Sequence, residues 1–387
     1  RATRLVDSTH LQGGDAATMQ AGDADATQRG TVAAGAGRAP ANTEEEQRRE
    51  RQRTSSLSGI VDYAFSPASR RLLFPIDGDL FLYARDAPAA RAVRRLTETA
   101  AYETDPQFSP RGRYVSFVRG QDLWVIDLAD GREHAVTRGG GGAVAFGTAE
   151  FVAQEEMDRS TGYWWSPDEA RIAFTRVDES GVAEVERFEI LADSVRVIRQ
   201  RYPAAGRPNA AVELFVATLA DVVASAPPVA PAALRIDTGG PRDGYLARVD
   251  WFPDSSALAL QWQARDQKTL ALRRAEAATG RSRDLLVERS TTWVPLNDEL
   301  RFLPTRRAFL WASERSGQRH LYLYDYEGRL LRPVTAGDWM VTGDGVGGER
   351  AVEAVDEASG RVWFTANRDS PLERHLYVAP LEGGQET

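Results

Sequence analysis

The chain has 387 residues, 42% of them hydrophobic and 27% charged, with 9 Trp, 11 Tyr and 14 Phe to fill a sizeable core and no apolar run long enough to span a membrane. A formal net charge of −8 excludes a general nucleic-acid binder, which needs a concentrated cationic face, and the absence of cysteine excludes disulfides, a thiol nucleophile and a Cys-ligated metal. The four histidines, His10, His134, His320 and His375, lie far apart without metal-ligand spacing, so no metal and no other cofactor is expected. Lys268 is the only lysine among many arginines and alanines, a composition that suggests a GC-rich bacterial genome.

The chain opens on Arg1-Ala-Thr-Arg-Leu-Val-Asp7, which reads as the end of a strand with no charged-then-apolar leader before it, and the first residues of the protein are expected to be missing. Residues 9–43 are rich in Ala, Gly, Asp, Thr and Gln and too poor in large apolar side chains to order themselves, so residues 1–43 are taken as a strand end followed by a flexible insertion. In Glu44-Glu-Glu-Gln-Arg-Arg-Glu-Arg-Gln-Arg53, acids lead and arginines trail at spacings of three and four, which predicts a short helix within 44–56.

From residue 57 to 387 the pattern is one of short β-rich segments between turn clusters, and a unit recurs. Asp62-Tyr-Ala-Phe-Ser-Pro67 precedes Arg71-Leu-Leu-Phe74 and Leu80-Phe-Leu-Tyr83, and Gln107-Phe-Ser-Pro110 precedes Tyr114-Val-Ser-Phe117 and Leu123-Trp-Val-Ile126. Further copies begin at Trp164-Trp-Ser-Pro167 and Asp250-Trp-Phe-Pro253, and weaker ones at Arg301-Phe-Leu-Pro304 and Val362-Trp-Phe364. Repeats of about 40 to 60 residues, each a few short antiparallel strands, predict an all-β propeller, in which each blade's faces are buried by its neighbours. A β-sandwich would explain the alternation but not the repeated Ser-Pro turn.

Glu150-Phe-Val-Ala-Gln-Glu155-Glu156-Met-Asp-Arg-Ser-Thr-Gly-Tyr-Trp-Trp-Ser-Pro167, continuing into Ile172-Ala-Phe-Thr-Arg-Val-Asp-Glu179, closely resembles the propeller of the dipeptidyl peptidase IV family within the prolyl oligopeptidase class of serine peptidases. Arg201-Tyr-Pro-Ala-Ala-Gly-Arg-Pro-Asn209, Ser290-Thr-Thr-Trp-Val294, Arg319-His320 and Gly337-Asp-Trp-Met-Val341 look like the same family in the same order, so the resemblance covers roughly residues 44–387. It implies an eight-bladed propeller, its first blade incomplete here, capping an α/β-hydrolase domain that this chain stops short of. The activity implied is release of N-terminal X-Pro or X-Ala dipeptides from peptides, in a periplasmic or secreted homodimer.

Adjacent carboxylates such as Glu155 and Glu156 repel each other, and holding both near a partly desolvated cavity is costly unless a cation is supplied. A peptide's free ammonium is such a cation, and the resemblance implies that this pair binds the substrate amino terminus. The plainer reading is two solvated acids on an exposed turn; the flanking Tyr-Trp-Trp-Ser-Pro favours the clamp. Matching the charged helix end to end with the arginine-bearing segment of some relatives makes Arg53, or failing that Arg49, the ligand of a substrate carbonyl, a role that suits a planar guanidinium. The tight hairpin Phe74-Pro-Ile-Asp-Gly-Asp-Leu-Phe81 has no room for the arginine loop of other relatives.

No Gly-x-Ser-x-Gly occurs, so no catalytic residue is assigned in this chain, and Ser58, Ser66, Ser109 and Ser166 read as turn or cap residues. Tyr163, Trp164 and Trp165 read as core. The expected partners are peptides with a free N-terminus and the hydrolase domain of the same polypeptide. A free-standing propeller that only binds peptides or proteins stays open as the alternative.

Overall fold

The computed structural model describes residues 59–225, 229–240, 243–343 and 350–383; the insertion over 9–43, the charged helix with Arg49 and Arg53, and Ser58 lie outside these. The described chain is almost entirely β. The first sheet is β1 (Ala64–Phe65), β2 (Arg71–Ile76), β3 (Asp79–Ala84) and β4 (Val93–Arg95). The second is β5 (Glu103–Phe108), β6 (Tyr114–Arg119), β7 (Asp122–Asp127) and β8 (Glu133–Ala135). In the third, β10 (Tyr163–Trp165), β11 (Arg171–Asp178), β14 (Ala211–Thr218) and β15 (Ala233–Ile236) lie in order, with β9 (Val144–Phe146) paired to the end of β11. Between β11 and β14 a separate hairpin is inserted, β12 (Glu184–Ile190) with β13 (Val195–Arg201).

The fourth sheet runs β16 (Tyr245–Trp251), β17 (Ala257–Gln263), β18 (Thr269–Glu276), β19 (Ser282–Arg289), and the fifth β20 (Arg301–Leu303), β21 (Ala308–Ser313), β22 (His320–Asp325), β23 (Leu330–Pro333). The sixth has β24 (Val352–Asp356), β25 (Arg361–Ala366) and β26 (His375–Pro380). All neighbours within these sheets are antiparallel, and they are sequential except that β11 pairs with β14 across the inserted hairpin and with β9. Strands β1, β5, β10, β16 and β20 carry the first five repeats read from the sequence, and the sixth, Val362-Trp-Phe364, falls on the second strand of its sheet, β25. The propeller expectation is borne out.

Turn chemistry sets this pattern. Asp77-Gly78, both at positive φ (51° and 97°), form the two-residue loop between β2 and β3, whose inverse twist suits the strands on either side. That closes the hairpin at residues 74–81 tightly, with no insertion. The Ser-Pro turn is a second device: Ser66, Ser109 and Ser166 each accept, through Oγ, the backbone N–H five residues on, at 3.1, 2.9 and 2.9 Å. Pro follows each Ser and fixes φ, and Ser69, Gly112 and Glu169, three residues after the Ser, take the left-handed conformation. Phe252-Pro253 with Ser255 at φ 58° makes the same turn with no hydroxyl. These serines are structural, as the sequence indicates.

Core clusters straddle neighbouring sheets rather than filling one. Leu73, Leu80 and Leu82 pack with Val115, Phe117 and Ile126, and Tyr114, Leu123 and Val125 with Tyr163, Trp165 and Ile172. The series continues from Leu214 to Leu258, from Phe252 to Trp311 and from Leu310 to Phe364. Because both faces of a blade are covered, strands such as β6 and β21 are buried almost throughout instead of alternating. On the Ser-Pro face the turns are also laced together. Arg71 reaches the Gly112 carbonyl, Glu169 accepts from the Arg111 N–H at 3.1 Å, Ser255 Oγ from the Asp168 N–H at 3.0 Å, and Glu357 from the Arg306 N–H at 3.0 Å.

Asp250 on β16 is exposed at its surface, yet dehydration by the protein packed around it pushes its carboxyl up to about 6, against the pull of Arg350 and Arg248 and helped by Asp298. The folded state therefore retains a proton that the unfolded chain loses at its ordinary 3.8, so this group's contribution to stability falls as pH rises from that value through about 6. Asp250→Asn is expected to flatten this slope, gaining about 1 kcal/mol on the parent between acid and neutral pH once solvent screening is allowed for. Urea unfolding at both pH values measures it; identical slopes would mean that the carboxyl is fully hydrated.

Candidate functional site

The site lies on the connection from β8 back to β10, on the propeller face opposite the Ser-Pro turns. Midway along it is helix α1 (Phe151–Glu156). Six residues cannot hold a helix unaided, since isolated helices shorter than about 12 to 15 residues are marginal in water. Tertiary contacts supply the difference. Ala153 is fully buried, Phe151 meets the Tyr202 ring edge-on at 5.1 Å, and the Arg159 N–H returns to the Ala153 carbonyl at 2.9 Å. The connection then enters β10 through Gly162, where a Cβ would stand 2.2 Å from the Thr148 carbonyl oxygen, so only glycine fits.

Glu155 and Glu156 are the last two residues of α1, and both side chains are exposed. The burial invoked from sequence is thus absent in this chain, but another cost takes its place. Carboxylates at a helix C-terminus face the negative end of the backbone dipole, and this last turn carries no basic residue. Two like charges side by side at that end favour a cation that can donate a hydrogen bond to each, and an ammonium with three N–H donors does so. A spherical metal ion is less well served: among the described residues no group of three or more His, Asp or Glu is arranged to hold one.

Beside the helix lies a cleft of about 160 Å³ whose lining includes Asp105, Glu150, Gln154, Glu179 and Arg201. Asp105 sits at φ 51° in a bulge of β5, held by Thr161 Oγ1, which donates to its carboxylate at 2.6 Å, and by the Tyr163 hydroxyl, which donates to its carbonyl. Tyr163 is fully buried, Trp165 Nε1 donates to Ser116 Oγ at 2.8 Å, and the Trp164 carbonyl accepts from Trp251 Nε1 at 3.0 Å. These aromatics are core, as read. His320 is buried between Thr335 Oγ1 and the Gly337 carbonyl at 3.1 and 3.0 Å, a structural role.

Two residues that sequence reasoning passed over stand at the ends of this helix: Glu150, its N-cap, and Arg159, joined by an ion pair at 2.9 Å. Nine positions apart in a turn-rich connection, they carry no periodic signal that would mark them as partners.

The blades and the acidic pair together define a β-propeller that presents two adjacent carboxylates on its connection face. The chain belongs to the family described as the dipeptidyl peptidase IV N-terminal region, whose model matches residues 66–387. It is 28% identical over 291 residues to a probable dipeptidyl peptidase 4 of Emericella nidulans, covering 70% of this chain and 35% of the fungal one. With dipeptidyl peptidase 8 of Mus musculus it shares 26% identity over 411 residues, covering 87% of this chain and 45% of the mouse protein. The crystal structure of Porphyromonas gingivalis dipeptidyl peptidase 4 superposes with a TM-score of 0.71 at 26% identity, over 87% of this chain and 47% of that one. The chain thus spans less than half the length of these relatives, and the family resemblance read from residues 150–179 is borne out.

Proposed function

We propose that this propeller forms the substrate-gating and amino-terminus-recognising part of a serine dipeptidyl peptidase that releases X-Pro or X-Ala dipeptides, with the hydrolytic residues supplied by a further domain of the same polypeptide. The observation that carries this reading is the placement of Glu155 and Glu156 together, exposed, at the C-terminal end of α1. Held there, they bind the substrate ammonium, and a fixed distance from that anchor to the nucleophile limits cleavage to the second peptide bond. Arg53, outside the described residues, is the proposed ligand of a substrate carbonyl. Hydrolysis of Gly-Pro-p-nitroanilide by the chain expressed with its natural downstream sequence tests the reading, with Glu155→Ala/Glu156→Ala as the decisive variant.

The same reading includes a homodimer, for which the β12–β13 hairpin is the proposed contact. It stands off the blades as a two-stranded sheet with Phe188 60%, Ile190 81%, Val195 58% and Val197 50% exposed, more apolar surface than an isolated hairpin tolerates in water. A second copy of the hairpin is self-complementary to it about a twofold axis. Phe188→Asp/Ile190→Asp is expected to convert the dimer to monomer in sedimentation velocity; a variant that sediments like the parent refutes this contact.

A further inference from the structure

The Glu150–Arg159 pair joins the two ends of α1. Both side chains are almost completely buried, 6% and 4% exposed, and the carboxylate accepts from Arg159 Nη2 at 2.9 Å. Glu150 also begins the helix, its carbonyl accepting the Gln154 N–H at 3.1 Å, so its backbone starts the first turn while its side chain reaches past the last. Arg159 is tied onward to the blade: Nη1 donates to the Thr161 carbonyl at 2.7 Å, and the guanidinium lies 5.9 Å from the Trp164 ring centre. Beside this pair, the helix is held by Phe151 against the Tyr202 ring and by the Gln154 side chain, which donates to the Ala149 carbonyl. Only Ala153 of its residues is buried, and clefts sharing Glu150 and Phe151 open on two sides.

We infer that Glu150 and Arg159 are positioning residues that clasp α1 to the entrance of β10 and so fix where Glu155 and Glu156 meet the substrate ammonium. The inference rests on the amino-terminus reading above. A charged pair buried in a connection, where an apolar pair would pack at no desolvation cost, makes sense if the direction of the helix has to be set and not merely its burial. The clasp touches no substrate; it acts by keeping the two carboxylates in one place before the peptide arrives.

The test is made in the polypeptide with its natural downstream sequence, using Glu150→Gln, which keeps the shape and removes the charge, and Arg159→Lys, which keeps the charge. Glu150→Gln is expected to raise KM for Gly-Pro-p-nitroanilide about tenfold with kcat within about twofold, because the anchor serves ground and transition states alike. Amide exchange over 151–157 should accelerate about tenfold while β17 and β21 stay as in the parent. Arg159→Lys should recover most of the KM. Parental KM and exchange in Glu150→Gln overturn the inference, as does loss of protection in β17 and β21, which would make the pair a general core element. If Glu155→Ala/Glu156→Ala is fully active while Glu150→Gln loosens only 151–157, the clasp stands as a holder of the helix and the amine reading falls instead.

Discussion

Replacing Glu155 and Glu156 together by alanine is expected to lower kcat/KM for Gly-Pro-p-nitroanilide by about 10²- to 10³-fold, since truncating both partners of a charged anchor removes two charge-assisted hydrogen bonds. The loss should fall mainly on KM, and each single variant should lie between parent and double variant. An N-acetylated substrate offers no ammonium, so the parent should hydrolyse it poorly and the double variant no worse. That contrast separates loss of an amine anchor from general damage to the active site. Parental kcat/KM in the double variant would remove the clamp and leave a propeller of the same family with its ligand unassigned.

The second large effect is structural. Gly162→Ala is expected to destabilise the fold by roughly 3 kcal/mol or more, because the added methyl is forced into backbone rather than into a side chain that could rotate away. Its Cβ would lie 2.2, 2.3 and 2.4 Å from the Thr148 O, C and N atoms. Neither strand can easily yield: Thr148 bridges Thr161, and the Gly162 carbonyl accepts the Thr175 N–H at 2.9 Å. Gly181→Ala is the matched control, since nothing lies within 4 Å of its added Cβ, and it should stay within about 0.5 kcal/mol of the parent. Urea midpoints of the two variants decide the matter; equal midpoints would show that the β10 entrance adapts.

The blades were legible because their turns are chemically explicit. Ser-Pro with a left-handed residue two positions beyond the Pro has one conformation wherever it occurs, and the sequence displays it at 66, 109 and 166. Phe252-Pro253 was readable for the same reason despite lacking the hydroxyl. The acidic pair could be found because Glu155-Glu156 is contiguous and sits in a string that resembles a known family. Its support could not: the Glu150–Arg159 bond exists only once the connection folds back on itself. The β12–β13 hairpin was equally hidden, since Arg187-Phe-Glu-Ile190 alternates like any half-buried strand and nothing local says that its apolar side finds no core.

The lacing of the Ser-Pro turns leaves the molecule with two unlike ends. At one, the first four blades are tied in succession and the fifth to the sixth through short turns of fixed geometry, Gly112 to Arg71, Glu169 to Arg111, Ser255 to Asp168 and Glu357 to Arg306. At the other, connections as different as a helix and a projecting hairpin leave the same kind of strand end. The propeller therefore behaves as a socket: whole connections such as 136–162 or 179–210 are replaceable parts, and a chimera carrying a relative's version of either should inherit that relative's recognition without a change in the blades beneath.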